Sequence, residues 1–130
     1  AYEIQCCVVG YEMCIRDIVT ATADGLEVQV LVGSWIKVEG DERYIIVDSG
    51  DMIQNLTNGL FKSTTHRVVN PSSISERRFS MPMFVHPRNS IDLTPRPEFI
   101  EMTTGTADYQ SITAGDYLHQ RLVEIGLAKD

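Results

Sequence analysis

Apolar and polar positions alternate through Leu26-Glu27-Val28-Gln29-Val30 and again through Trp35-Ile36-Lys37-Val38. A period of two belongs to a strand that buries one face. Between the two segments, Val32-Gly33-Ser34 is a turn signal, so the pattern predicts a β-hairpin. Glu39-Gly40-Asp41-Glu42 is a further turn. Tyr44-Ile45-Ile46-Val47 is a short, nearly continuous apolar run, the pattern of a strand buried on both faces. Asp48-Ser49-Gly50-Asp51 breaks that run. Met52, Ile53 and Leu56 then recur at helical spacing, which predicts one or two helical turns capped by Asp51 and ended by a left-handed Gly59.

The β-branched stretch around His66 predicts a strand from about Lys62 to Val69. After the polar loop Asn70–Glu76, a second strand is expected from about Arg77 to Val85, and Pro82 confines it to a sheet edge or a bulge. Asn89 to Gly105 is punctuated by proline and is expected as loop. Near the end, Thr113 followed three residues later by Asp116 is a helix-start pattern. Leu118, Leu122, Val123 and Ile125 form the apolar stripe of the helix it opens, and Gly126 can end it. Trp35 and Phe84 are expected in the core. Short strands with turns between them indicate an all-β sandwich or jelly roll with a trailing helix. Residues 1–18 show neither period and are expected to form a separate, poorly packed head.

Composition narrows the function. A chain of 130 residues holds one domain with a core. Its formal charge of −7 argues against nucleic acid as a partner, because phosphate binding needs a basic face. No apolar run reaches the roughly 18 residues of a membrane span. Cys6, Cys7 and Cys14 are odd in number and crowded into one short stretch, which reads as reduced thiols rather than a disulfide framework or a zinc site. Glu3 stands where a signal peptide would be basic, and the chain opens on Ala1 without an initiator methionine. A cytoplasmic fragment or excised domain is expected.

Candidate chemistry lies in two stretches. An imidazole is a good ligand for iron, zinc, copper and nickel, and alternate strand residues face one side, so His66 could point into a barrel interior. Arg78 and Ser80 are two apart on the next strand and share a face. A guanidinium beside a hydroxyl suits a carboxylate, because the planar fork makes two parallel hydrogen bonds. Spacing alone leaves His66 open as a hydrogen-bonded structural residue and the R-x-S as chance. His86 reads as a loop residue and His119 as a solvated helix residue.

The order of the motifs adds a resemblance. "GLEV" at Gly25 to Val28 with Trp35 and Val38, "IIVDSGDMIQNLTNG" at Ile45 to Gly59, "KSTTHRVVNP" at Lys62 to Pro71 and "RFSMPMFVHP" at Arg78 to Pro87 come in the order found in the C-terminal half of one family. The segment from about Ala21 to Pro87 resembles the isopenicillin N synthase-like Fe(II)/2-oxoglutarate-dependent oxygenases. That resemblance implies a double-stranded β-helix, or jelly roll, here incomplete, with a short helical turn and a C-terminal α-helix. It implies Fe(II), 2-oxoglutarate as co-substrate, ascorbate as an accessory, and a small-molecule substrate. Matched residue by residue, His66 corresponds to the distal histidine ligand of the metal. Arg78 and Ser80 correspond to the pair that binds the far carboxylate of 2-oxoglutarate.

The match stops short of the family's H-x-D motif, which supplies its first two ligands. No histidine precedes His66; Ile15-Arg16-Asp17 is the nearest pattern, with Asp17 as a remnant carboxylate. Residues 1–18 resemble nothing in the family and read as foreign sequence, while 19–130 read as the C-terminal part of an oxygenase domain. Two functions remain: an oxygenase fragment that oxidises a small molecule with O₂, giving succinate and CO₂, or an inactive jelly-roll remnant that binds an organic acid or a partner chain. A metal-free cupin-like module is a more distant third.

Overall fold

The computed structural model of the chain describes residues 16–30, 33–40, 43–69 and 77–129, with side chains of the first strand from Ile18 onward. The expected loose head and the loop 70–76 therefore fall almost wholly outside the described residues. Six strands and three helices follow in order: β1 Arg16–Ala21, β2 Leu26–Gln29, β3 Trp35–Val38, β4 Ile46–Ser49, α1 Asp51–Leu56, β5 His66–Val68, β6 Ser80–Val85, α2 Pro97–Met102 and α3 Ala114–Glu124. They divide between two compact units. Among the described residues, one comprises 18–30, 33–40, 43–46, 64–69 and 77–83, and the other mainly 47–63 and 84–129.

The expected hairpin is present. β2 pairs antiparallel with β3, Leu26 opposite Val38 and Val28 opposite Ile36. β2 also pairs antiparallel with β5, Leu26 opposite Val68 and Val28 opposite His66. The order of this sheet is β3-β2-β5, and a second sheet runs β4-β1-β6. β6 is an end strand of its sheet, the placement that its Pro82 requires. Two antiparallel sheets of short strands make an incomplete jelly roll.

β5 is shorter than its β-branched sequence suggests. The Lys62 carbonyl accepts the Ser49 hydroxyl at 2.6 Å, and the Ser63 N–H donates to Gln54 Oε1 at 2.7 Å. These side chains occupy the backbone ahead of the strand, so the ladder begins only where Gln29 N–H donates to the Thr65 carbonyl. β4 starts at Ile46 and is not buried on both faces: Ile45, just before it, is 67% exposed. A continuous apolar run marks strand propensity but does not say what covers it. Phe84 is likewise 53% exposed rather than core, and Trp35 is only half-buried.

The second unit holds the apolar core. Met52 of α1, Leu93, and Ala114 and Tyr117 of α3 form one buried cluster, with Ile112 and Leu118 packed against it. α3 opens as its sequence predicts. The Thr113 hydroxyl accepts from Asp116 N–H at 3.2 Å and donates to Asp116 Oδ2 at 2.7 Å. Gly126, φ 76°, lies just past its end. Its fully buried residues are Ala114 and Tyr117; of the expected stripe, Leu118, Leu122 and Val123 are half-buried, Leu118 against the cluster, and Ile125 is exposed. Tyr117 buries its ring while its hydroxyl accepts from Arg121 Nη2 at 3.0 Å, so a residue with a polar tip serves as core.

Two further expectations are corrected. α2 lies inside the segment expected as loop. Pro97 occupies its first turn, where the absent N–H has no helical partner to lose and the ring presets φ. Asp51 does not cap α1. Gly50 is the capping residue, and Asp51, inside the first turn, sits 3.7 Å from Arg121 Nη2.

Candidate active site

His66 is the first residue of β5 and is half-buried. Its Nδ1 lies 3.2 Å from the Thr64 carbonyl oxygen. A carbonyl only accepts, so Nδ1 carries the proton in this contact and the lone pair of a neutral ring is on Nε2. The neighbouring Arg67 holds β5 in place. Its Nε and Nη2 donate to Glu27 Oε2 at 2.8 and 2.7 Å, and its guanidinium lies 4.1 Å from the centre of the Trp35 ring. Arg67 therefore ties β5 to both other strands of the sheet. The sequence carried a signal for it: Glu27 and Arg67 are opposite charges directly across the β2–β5 ladder. That signal becomes visible only once the register is known.

Arg78 lies two residues ahead of Ser80, where β6 begins. Its Nη1 donates to Ser80 Oγ at 3.2 Å, and its Nε donates to the Ala23 carbonyl at 3.2 Å. Partial burial of the guanidinium lowers its pKa from the usual arginine value, because desolvation disfavours the cation. Ser80 lines a cavity of about 280 Å³ bounded also by Thr20, Ala21, Thr22, Phe79 and Met81. A hydroxyl that accepts from Arg78 keeps its own proton to donate. Together they present a cationic donor and a neutral donor side by side, the requirement for gripping a carboxylate.

The structure thus brings Arg78 and Ser80 together. It places His66 in the other sheet, β3-β2-β5, with β5 at the end of that sheet. His86 and His119 are exposed, as expected from their sequence positions. The three cysteines and the side chain of Asp17 lie outside the described residues.

The sequence profile of the 2OG-Fe(II) oxygenase superfamily matches residues 13–87. The chain belongs to this superfamily. It is 33% identical over 89 residues to 2-oxoglutarate-dependent dioxygenase 11 of Oryza sativa subsp. japonica, covering 68% of this chain and 24% of that protein. It is 36% identical over 93 residues to Jasmonate-induced oxygenase 3 of Arabidopsis thaliana, covering 71% of this chain and 24% of that protein. Among solved structures, a full-length Neurospora crassa protein crystallised in complex with alpha-KG superposes with a TM-score of 0.76 at 25% identity, over 89% of this chain and 36% of that one. The chain spans about a quarter of the length of the curated relatives it matches.

Membership implies Fe(II) and 2-oxoglutarate. The Arg78–Ser80 pair fits one end of the second: a charged and a neutral donor adjoin, as a carboxylate requires. The iron is a different matter. Among the described residues, no group of three or more His, Cys, Asp or Glu side chains converges. An open iron site takes three protein ligands, and of the residues matched to the family's ligands His66 is the one that is described.

Proposed function

We propose that this chain carries the co-substrate end of a non-haem Fe(II)- and 2-oxoglutarate-dependent oxygenase. In this proposal Arg78 and Ser80 take the far carboxylate of 2-oxoglutarate, and His66 serves as one metal ligand. The complete enzyme would oxidise a small molecule with O₂, release succinate and CO₂, and use ascorbate to stay active. Residues 19–130 would be the oxygenase part; of the head expected over 1–18, residues 13–18 fall within the family match, which leaves 1–12 as the part without a counterpart. Among the described residues no helix is long and apolar enough to cross a membrane. A cytoplasmic location is part of the same proposal.

The observation that carries this reading is the 3.2 Å contact of Arg78 Nη1 with Ser80 Oγ, in a chain whose motifs follow the family order. What these residues do follows from their donors. Arg78 neutralises the carboxylate and fixes its plane; Ser80, oriented by accepting from Arg78, donates its hydroxyl proton to the same group. The Thr64 carbonyl, by holding the His66 Nδ1 proton, would keep Nε2 in the ligating form.

One observation favours a second reading for the chain by itself. No histidine precedes His66, and the described residues gather no three-donor group. On that reading the chain binds an organic acid and performs no oxidation. Two measurements on the purified chain test both. Calorimetric titration with 2-oxoglutarate should show Arg78→Ala weakening binding by about tenfold or more, the range for a charge-assisted hydrogen bond. Unchanged affinity would refute the role of the pair. Succinate release under Fe(II), ascorbate and O₂ should be undetectable for the chain and appear when an H-x-D-bearing N-terminal part is restored. Robust turnover by the chain, lost in His66→Ala, would show that other residues complete the iron site.

A further inference from the structure

Ahead of β2 the chain turns through Thr22-Ala23-Asp24-Gly25, and this turn grips the segment bearing Arg78. Thr22 N–H donates to the Phe79 carbonyl at 3.0 Å, and Phe79 N–H donates back to Thr22 Oγ1 at 3.0 Å. The Ala23 carbonyl accepts from Arg78 Nε at 3.2 Å. The Gly25 carbonyl accepts from Val69 N–H at 2.7 Å, which ties the turn to the chain just past β5. Two glycines permit these approaches. Gly25 has φ +132°, which L side chains rarely adopt, and a β-carbon there would stand 2.7 Å from the Val69 carbonyl oxygen and 3.1 Å from Arg78 Cδ. Gly40 lies against the Ala23 carbonyl so closely that a β-carbon would overlap it. Its N–H donates to Asp24 Oδ1 at 2.7 Å. Asp24 thus latches the segment after β3 onto the turn whose carbonyl holds the arginine.

A guanidinium serves a carboxylate only when its plane and its free edge are fixed, and a long flexible side chain otherwise loses rotamer freedom on binding. Ala23 occupies Nε and Ser80 occupies one Nη1 proton, so the terminal nitrogens are the edge left to a ligand. We propose that the Thr22–Gly25 turn, latched by Asp24 to Gly40, is the positioning device that sets Arg78 for the far carboxylate of a dicarboxylate co-substrate. Asp24, Gly25 and Gly40 are positioning residues in this scheme, and the scheme rests on the reading of Arg78 and Ser80 as the carboxylate pair.

The test uses the purified chain and two probes, 2-oxoglutarate and glutarate. Glutarate keeps both carboxylates and lacks the 2-oxo group, so it reports on carboxylate binding without the keto oxygen. Two quantities are read by NMR: the dissociation constant of each probe and the Arg78 Nε–H resonance, whose slow solvent exchange reports its bond to Ala23. Asp24→Ala should weaken both probes about three- to tenfold, the effect of losing one hydrogen bond, and speed exchange at Arg78 Nε–H. Asp24→Asn keeps an oxygen acceptor for Gly40 N–H and should recover most of the affinity and the slow exchange. Gly25→Ala should lose more than Asp24→Ala; should it fail to fold, the Asp24 pair still decides. If Arg78→Ala abolishes glutarate binding while Asp24→Ala changes neither quantity, the positioning role is overturned and the carboxylate pair stands. If Arg78→Ala itself leaves glutarate affinity unchanged, the pair falls and the positioning role with it.

Discussion

Each of the two units of the chain is stabilised within itself by different means. The unit containing α1, α2 and α3 has an apolar centre in Met52, Leu93, Ala114 and Tyr117. Polar ties cross it: Asn55 Nδ2 donates to the Leu93 and Gln110 carbonyls at 2.7 and 3.0 Å, and Asn58 Nδ2 donates to Thr103 Oγ1 and the Thr106 carbonyl. In the unit containing β2, β3 and β5, the buried hydrophobic residues among those described are Ala21 and Leu26. Phe79 is 65% exposed there and Met81 72%. This unit is held by ladder bonds, by the Arg67–Glu27–Trp35 contact and by the turn that Asp24 latches. The residues with candidate chemistry, His66, Arg78 and Ser80, all belong to it. Apolar burial is the dominant driving force in folding; among the described residues of the site unit, directed polar contacts stand where the helical unit has its apolar cluster.

That contrast can be broken most forcefully from the helical side. Leu93 is fully buried, and Leu93→Ala should cost about 2–5 kcal/mol, from lost transfer energy plus a cavity. Urea denaturation followed by near-ultraviolet signals from the tyrosines would measure it. A cost below about 1 kcal/mol would mean that the helical unit does not rest on its core.

A smaller effect is expected from the strand side. Arg67→Ala removes a partly exposed ion pair and the stacking on Trp35, together about 1 kcal/mol after solvent screening. Its signature should be local. Amide exchange of Arg67 and Val68 in β5 should accelerate while that of α3 stays unchanged. Equal acceleration in α3 would show one cooperative unit rather than two.

The smallest effect is expected from acid, and it falls on the helical unit. Hydrogen bonds from the Thr104 and Thr106 hydroxyls hold the Asp108 carboxyl below its ordinary value of 3.8, and the hydrogen bond from Arg121 holds Glu124 below its ordinary 4.5. A carboxyl with a depressed folded pKa binds its proton less readily folded than unfolded. Its stabilisation is therefore complete above the ordinary value and is lost as pH falls through the lower, folded one. Both groups are at the surface, so the change should be slight. Carboxyl-carbon NMR titration would check it: midpoints at or above 3.8 and 4.5 would remove these two contributions.

Much of the fold was legible in the chain itself. The hairpin of β2 and β3, the edge placement of β6 with its Pro82, the Thr113–Asp116 start of α3 and the positive φ of Gly126 follow from residue types a few positions apart. Such signals act between covalent neighbours, where the partner is already at hand. The order of motifs around His66, Arg78 and Ser80 was legible for the same reason, since each motif is a local run.

What lay beyond the sequence shares one physical feature: the partner is far along the chain. Asp51 resembles a cap and instead faces Arg121. Asn55 satisfies carbonyls 38 and 55 positions away, partners that its own helix does not reveal. Tyr117 was absent from the expected apolar stripe, yet it fills the core, because only the packed neighbours provide both an apolar pocket for its ring and a donor for its hydroxyl. Likewise Arg78 is set by a carbonyl at Ala23, a backbone group that every residue carries and no pattern distinguishes. Local periodicity determined which segments became strands and helices. Tertiary structure decided which faces were buried and which distant polar groups met, because a hydrogen bond between remote residues exists only once the chain between them has been folded into place.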